Sequence, residues 1–340
     1  MTESLLAAPG AEVATDAEAA ADAADALRIT HHRLDDGVRD VIAKEIAERT
    51  SASVLDSDDN QAILSGIGAH VLRRHLPGQV LDALDAFRLD GRHVLKLSNL
   101  PTQHFPPTPV HGYGDESALP LVNALHFGLV KLLGMTPYAV AYENRGRLIR
   151  NVVPNPEAAG ATSSWGADSE FFWHTDNPHL PFGEPGTDPR GYVPRYLTFY
   201  TVRNEERVPT EVAAVDEVVR HLDPALLRAL ERPGFVVGAP DSNDFPDAPE
   251  LLDGTALFDR DEAGRNRARY DAGTTRGTDP ATDEQVRAFH TALGRVHGAA
   301  FTLETGDFLV FDNYRVVHRR RAFTPDPAPT ARWLRRCYAS

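Results

Sequence analysis

Apolar positions recur at helical spacing early in the chain and at strand spacing late in it. Val38, Val41, Ile42 and Ile46 keep a 3.6-residue rhythm over Asp36–Thr50, and the same rhythm predicts a second helix over 63–74. Residues 117–134 are denser. Leu119, Leu121, Val122, Leu125, Phe127, Leu129, Val130, Leu132 and Leu133 leave little polar surface, which predicts a buried helix stopped at Gly134. Between these helices, 79–89 is short and mixed, and His93-Val94-Leu95-Lys96-Leu97 alternates as a strand that ends at Asn99-Leu100-Pro101, before a Pro-rich loop over 101–109.

Strand patterns dominate afterwards. Residues 138–142 and 147–153 read as two strands around the Asn144-Arg145-Gly146 turn, and 196–203 is rich in β-branched and aromatic residues. Helical signals follow at 216–221, 224–230 and 283–296. Near the end come 300–304, the apolar run Phe308-Leu309-Val310-Phe311, a turn that leads to His318, and the alternating closing strand 332–338. Loops are expected at 158–168, 178–194 and 238–277. The last holds one apolar piece, Thr255-Ala256-Leu257-Phe258, and a long irregular segment of this kind is expected to cover an active site.

Many short strands with the helices mainly ahead of them argue for a mainly β fold with bracing helices. A double-stranded β-helix (jelly roll) fits that pattern, and a doubly wound α/β sheet does not. Residues 1–28 are Ala-rich and lack aromatic residues, so they read as a loose tail before a single domain at 29–340. No repeat and no glycine-rich phosphate or dinucleotide fingerprint is present.

Composition narrows the chemistry. The chain has 340 residues and a formal charge of −14, from 35 basic against 49 acidic residues, which argues against nucleic acid as a partner. The run Arg319-Arg320-Arg321 is a local exception to that balance. No apolar run approaches the roughly 20 residues that span a bilayer, and no basic-then-apolar leader opens the chain, so a cytoplasmic enzyme without a membrane partner is expected. Cys337 is the single cysteine, so any metal must be held by His and carboxylates.

The candidate chemistry starts at Phe171-Phe172-Trp173-His174-Thr175-Asp176-Asn177-Pro178-His179. In an extended strand, His174 and Asp176 point to one face and could reach one point. Two histidines and a carboxylate on one face of an ion, with other positions open, make a non-haem Fe(II) oxygenase site. His318, delivered by a buried strand, and His179, five residues from His174, are candidates for the missing ligand.

His174-Thr175-Asp176, the segment Gly306-Asp307-Phe308-Leu309-Val310-Phe311-Asp312-Asn313 leading to His318, and Arg332-Trp333-Leu334 beyond it stand in an ordered set. With these motifs the chain, from about Val94 to Tyr338, resembles the Fe(II)- and 2-oxoglutarate-dependent dioxygenases. Within them it is similar to the clavaminate synthase-like branch, which includes hydroxylases of free arginine and asparagine. The resemblance implies that His174, Asp176 and His318 hold iron, and that Arg332 binds the distal carboxylate of 2-oxoglutarate with help from Thr210. A planar guanidinium suits that role because it pairs with a carboxylate in a bidentate geometry that Lys does not copy. The branch commonly has His-x-Glu, whereas this chain has His-x-Asp.

By the same resemblance Glu143, Glu170 and Asp271 are the candidate substrate contacts. The implied reaction consumes 2-oxoglutarate and O2, releases succinate and carbon dioxide, and hydroxylates an unactivated carbon of a free amino acid with a basic or amide side chain. Such products commonly feed natural-product assembly. Desaturation or cyclisation on the same ligands, or a non-catalytic metal-binding jelly roll, are the alternatives.

Overall fold

The computed structural model describes residues 27–51, 56–155, 166–184, 186–240 and 251–340. The chain begins with strand β1 (Ile29–Arg33) and helices α1 (Asp36–Thr50), α2 (Gln61–His75) and α3 (Gly78–Ala86). Strand β2 (Val94–Ser98) and helix α4 (Pro120–Leu132) come next, then β3 (Pro137–Tyr138), β4 (Arg150–Val152), β5 (Phe171–His174), β6 (Tyr196–Arg203) and β7 (Thr210–Ala214). Two short helices, α5 (Val215–Arg220) and α6 (Pro224–Leu230), lead to β8 (Phe235–Gly238), β9 (Leu251–Thr255), β10 (Phe258–Arg260), β11 (Asn266–Ala268) and β12 (Thr275–Gly277). Helix α7 (Pro280–Leu293) is followed by β13 (Ala299–Phe301), β14 (Phe308–Asp312), β15 (Val316–Arg320) and β16 (Trp333–Ala339). Most of the expected tail, part of the loop at 158–168 and residues 241–250 lie outside the described residues.

Two sheets carry the strands nearest the site. One runs β1-β2-β14-β6-β16, with β3 and β4 both on the far edge of β16, and the other runs β13-β7-β15-β5. The two-residue alternation along each strand decides what lies between them. On β6, β14 and β16, Tyr200, Val202, Phe308, Val310, Trp333 and Cys337 pack with α1 to α4 on one face. The opposite faces of the same strands, with Leu197, Phe199, Leu309, Phe311 and Leu334, meet Val212, Ala214 and Val316 of the smaller sheet. The larger sheet is therefore buried on both sides, which explains its nearly continuous apolar runs. A third cluster, with Trp173, Ala213 and Val317 against Val218, Leu230, Phe258 and Phe289, covers the outside of the smaller sheet.

The helical layer depends on close backbone contact. A Cβ on Gly68 of α2 would lie 1.7 Å from the Ala124 carbonyl oxygen of α4, and one on Gly128 would lie 2.5 Å from the Gly68 carbonyl carbon. Helix α4 ends as its sequence predicts, with Gly134 at φ 68°. Arg335, on the helix-facing side of β16, is wholly buried and pairs with Glu116 and Asn123 ahead of and within α4. Burial pushes the Glu116 carboxyl up, with Arg335 opposing that rise. Among the described residues no helix is long and apolar enough to cross a membrane.

Two expectations differ from the structure. Residues 138–142 and 147–153 do not form a hairpin: β3 pairs with Tyr338 and Ala339, and β4 with Leu334, Arg335 and Arg336, so the two pieces lie in tandem along one edge of β16. Between them Asn144, Arg145 and Gly146 all take positive φ, at 52°, 56° and 68°, and that tight turn leaves the pieces on one line. The described part of 238–277 is not a loop but carries β9 to β12. Leu257, Phe258, Ala268 and Tyr270 are buried there, and those four apolar positions are what order an otherwise polar segment. Strand β1 and helix α3 were not distinguished by pattern, since each is short and only partly buried.

Candidate active site

β5 and β15 are antiparallel neighbours, and their register sets His318 opposite His174 with the ring centroids 4.1 Å apart. Asp176 lies just beyond β5 and is fixed through its backbone. Its amide donates to Asn313 Oδ1 at 2.9 Å, and Asn313 Nδ2 donates back to the Asp176 carbonyl at 3.2 Å and to the Pro194 carbonyl at 2.9 Å. Asp176 Oδ1 then lies 3.6 Å from His174 Nε2 and 3.4 Å from His318 Nε2. One donor atom from each of the three falls within 4.8 Å of the others.

The donor set fits a divalent ion. His174 Nδ1 donates to the Phe172 carbonyl at 2.7 Å, which leaves Nε2 as the ring nitrogen that faces Asp176. That Nε2 is buried and has no hydrogen-bond partner among the described residues, the condition expected of a ligand atom. Burial and the neighbouring His174 push the His318 imidazole down to about 4. Burial alone would raise the Asp176 carboxyl, but Arg336 and the two histidines hold it well below the usual carboxylate range. Neutral imidazoles and an ionised carboxylate are the forms that bind a metal.

A cavity of about 60 Å³ adjoins these groups, and Thr210, Arg320, Arg332 and Arg336 line it with them. Arg336 shares the inner face of β16 with Leu334, Arg332 lies just ahead of that strand and lines the same cavity, and Thr210 shares the inner face of β7 with Val212. Arg332 is 4% exposed. Its Nη2 is 3.5 Å from Thr210 Oγ1, its Nε has no hydrogen-bond partner, and no carboxylate forms a salt bridge with its guanidinium among the described residues. Burial, then the nearby Arg320, push it down to about 9, against the weaker pull of Glu206. Arg320 is itself buried and donates to the Ala167 and Ser169 carbonyls at 3.1 and 3.2 Å. Two cations therefore face this end of the cavity.

The remaining sequence candidates fall elsewhere. Glu143 is buried and committed to Arg150, Arg336 and the Tyr338 hydroxyl, so it stands behind Asp176 and does not line the metal-side cavity. Glu170 is half-exposed, 3.6 Å from Arg319. Asp271 accepts from the Gly273 amide at 2.7 Å in a turn next to Tyr270, whose backbone bonds to Thr175, so the turn runs beside the ligand strand. His179, the rival ligand, is buried against Tyr142 and lies outside the three-residue group. Sequence reasoning missed Arg336 and the role of Asn313. The alternation that puts 332 and 334 on one face extends to 336 and was the available signal for the first.

Two facing sheets bring a His-Asp-His group with metal-ligand chemistry together with a buried arginine that has no carboxylate partner among the described residues. The pattern of the taurine catabolism dioxygenase TauD, TfdA family matches residues 122–338, and the chain belongs to that family. It is 25% identical over 343 residues to an enduracididine beta-hydroxylase of Streptomyces hygroscopicus, covering 91% of this chain and 93% of that protein. It is 27% identical over 277 residues to an L-asparagine oxygenase of Streptomyces coelicolor, covering 78% and 75%. Among solved structures it is similar to asparagine oxygenase in complex with Fe(II), 2S,3S-3-hydroxyasparagine and succinate, with TM-score 0.75, 21% identity, and 91% and 92% of the two chains covered. It is also similar to the non-heme iron oxygenase OrfP in complex with Fe and alpha-ketoglutaric acid, with TM-score 0.71, 23% identity, and 91% and 93% covered.

Proposed function

We propose that this protein is an Fe(II)- and 2-oxoglutarate-dependent hydroxylase of a free amino acid with a basic or amide side chain. The observation that carries the reading is Arg332, a buried guanidinium without a carboxylate partner among the described residues, in a cavity that also receives His174, Asp176 and His318. A structural metal site needs no such cation. A dicarboxylate that chelates the metal and reaches Arg332 and Thr210 satisfies both ends of the cavity. The family match and the hydroxylase and oxygenase relatives support the same class.

In this reading His174, Asp176 and His318 hold iron through Nε2, one carboxylate oxygen and Nε2. Arg332 and Thr210 bind the distal carboxylate of 2-oxoglutarate, and Arg320 adds positive potential. Iron, when bound, supplies the activation of O2 that couples 2-oxoglutarate decarboxylation to oxidation of an unactivated carbon. The chain's own groups position the reactants and keep water out. Glu170 and Asp271 would receive a cationic or amide side chain, while Glu143 would act from behind Asp176. The two facing sheets are the halves of a jelly roll in a single domain over 29–340, with the segment near 238–277 as its cover and the cytoplasm as its compartment.

The test is an aerobic panel of free amino acids with Fe(II) and 2-oxoglutarate, read by succinate release and product mass. Gain of one oxygen atom on an arginine-, lysine- or asparagine-like substrate is expected, whereas loss of two hydrogens would identify a desaturase. Succinate at background across the panel would overturn the substrate assignment.

A further inference from the structure

The turn between β14 and β15 serves two cavities. Asn313 holds Asp176 at the metal-side site, while Asp312, Tyr314 and Arg315 line a second cavity of about 570 Å³ that shares no lining residue with the first. Five of its twelve lining residues are arginines, in a chain whose formal charge is −14. Against them stand four carboxylates, of which Asp261 is taken by Arg265 at 2.7 Å. Arg267 and Arg315 lean on Asp259 and Asp216, at 2.7 and 3.3 Å, two acids that do not line the cavity. These pairs fix the guanidinium groups in place and leave them further N–H groups to donate. Arg195 is less committed. Its Nε lies 3.6 Å from Asp312 Oδ2, beyond hydrogen-bond reach, and its guanidinium donates to no described residue.

Three guanidinium groups also meet at one point. A Cβ on Gly91 would lie 3.2 Å from Arg315 Nη1, 3.5 Å from Arg265 Nη1 and 3.7 Å from Arg28 Nη1, and Arg315 Nη1 donates to the Gly91 carbonyl at 2.8 Å. Arg28, like Arg195, has no hydrogen-bonded carboxylate among the described residues. The local field is positive enough to be felt by a neighbour: burial first, then Arg315, push His93 down to about 4, and Arg28 and Arg265 add to that against Asp216. Like charges this close repel one another, and an anion among them removes the repulsion. We propose that this second cavity binds a small molecule through a phosphate or carboxylate group, with Arg195, Arg265 and Arg315 as its principal donors. Its volume falls within the roughly 300–1,000 Å³ of small-molecule sites. Arginine is the side chain suited to the task, because its planar fork takes two oxygens of one anion in parallel hydrogen bonds. This site stands whatever reaction the metal-side cavity supports.

The experiment is calorimetric titration of the full chain at low ionic strength, without added metal, with pyrophosphate in one arm and succinate in the other. It is run on wild type and on Arg332→Met, which disables the anion-binding end of the metal-side cavity. The expected result is a saturable binding event that persists in Arg332→Met and weakens as salt is raised. Tighter binding of pyrophosphate identifies a phosphate-bearing ligand, and tighter binding of succinate a carboxylate. In the Arg332→Met background, Arg195→Gln and Arg265→Gln should each lower the affinity about tenfold or more, the size expected when a hydrogen bond to a charged group is lost. Arg195→Lys should lose less than Arg195→Gln. No saturable binding of either anion to Arg332→Met would overturn the proposal, since any event seen in wild type would then belong to the metal-side cavity. Equal affinity in Arg195→Gln, Arg265→Gln and their parent would overturn it as well. If circular dichroism shows Arg195→Gln to be unfolded, Arg265→Gln decides on the same readout, and an unchanged affinity there overturns the proposal.

Discussion

Replacing Arg332 with Met should make the ligand-free protein more stable and the co-substrate complex weaker. In the folded chain the Arg332 guanidinium is pushed down to about 9 by burial and by Arg320. Against an ordinary value near 12.5, and at about 1.4 kcal/mol per tenfold change in proton affinity, that is on the order of 5 kcal/mol of unfavourable burial as an upper bound. The sign follows from proton counting. Between about 9 and its ordinary value the unfolded chain holds the proton more tightly, so this group's contribution to stability rises with pH over that range. At neutral pH the penalty is present in full. A carboxylate on Arg332 offsets it, and removing one partner of such a buried pair costs about 3 kcal/mol or more, roughly a hundredfold in affinity. Thermal melts of wild type and Arg332→Met, with and without 2-oxoglutarate under anaerobic Fe(II), are the assay. Saturation at about 100 times Kd should stabilise wild type by roughly 2.7 kcal/mol, and the same concentration should leave the variant nearly unmoved. An Arg332→Met protein that melts below wild type without ligand, yet keeps the full shift with 2-oxoglutarate, would refute the reasoning.

Other consequences follow from particular contacts. Gly68→Ala should destabilise the fold by about 3 kcal/mol or more in urea unfolding, because its methyl would overlap the Ala124 carbonyl. Asn313→Ala should cost about 2–4 kcal/mol and weaken Fe(II) binding, since it strands the Asp176 amide and two carbonyls, and an anaerobic metal titration checks the second effect. Burial pushes His93 and His179 down to about 4. The unfolded chain therefore takes up protons first as pH falls from about 6.5 towards 4, and stability should drop over that window by on the order of 3 kcal/mol for each histidine. Urea midpoints at pH 7 and 4 measure the drop, and His179→Phe should reduce it.

How far the sequence spoke depended on how local each feature is. Helices α1, α2 and α4 were legible because each writes its buried stripe within its own residues. Asp176 was legible for the same reason: His-x-Asp on a strand end is a two-residue pattern. His318 was named from the motif and the buried strand ahead of it, while its approach to His174 is set by the register of β15 against β5. The tandem placement of β3 and β4 was not readable, because the partner that separates them, β16, is the last strand in the chain. Glu143 was singled out from its neighbourhood, but its commitment to Arg336, Arg150 and Tyr338 depends on three residues from β4 and β16, which no spacing within 143–147 reports. The strands inside 251–277 were hidden by their Asp and Gly content. What orders them is burial of Leu257, Phe258, Ala268 and Tyr270 against α6 and α7, a tertiary effect.

The central claim is that His174, Asp176 and His318 hold an iron to which 2-oxoglutarate binds. Anaerobic titration of the protein with Fe(II) and then 2-oxoglutarate, followed in the visible range, tests it most directly. The account predicts a weak charge-transfer band that saturates at one equivalent of each in wild type and is absent in His318→Ala. The same band at full strength in His318→Ala, or no band in folded wild-type protein, would contradict it.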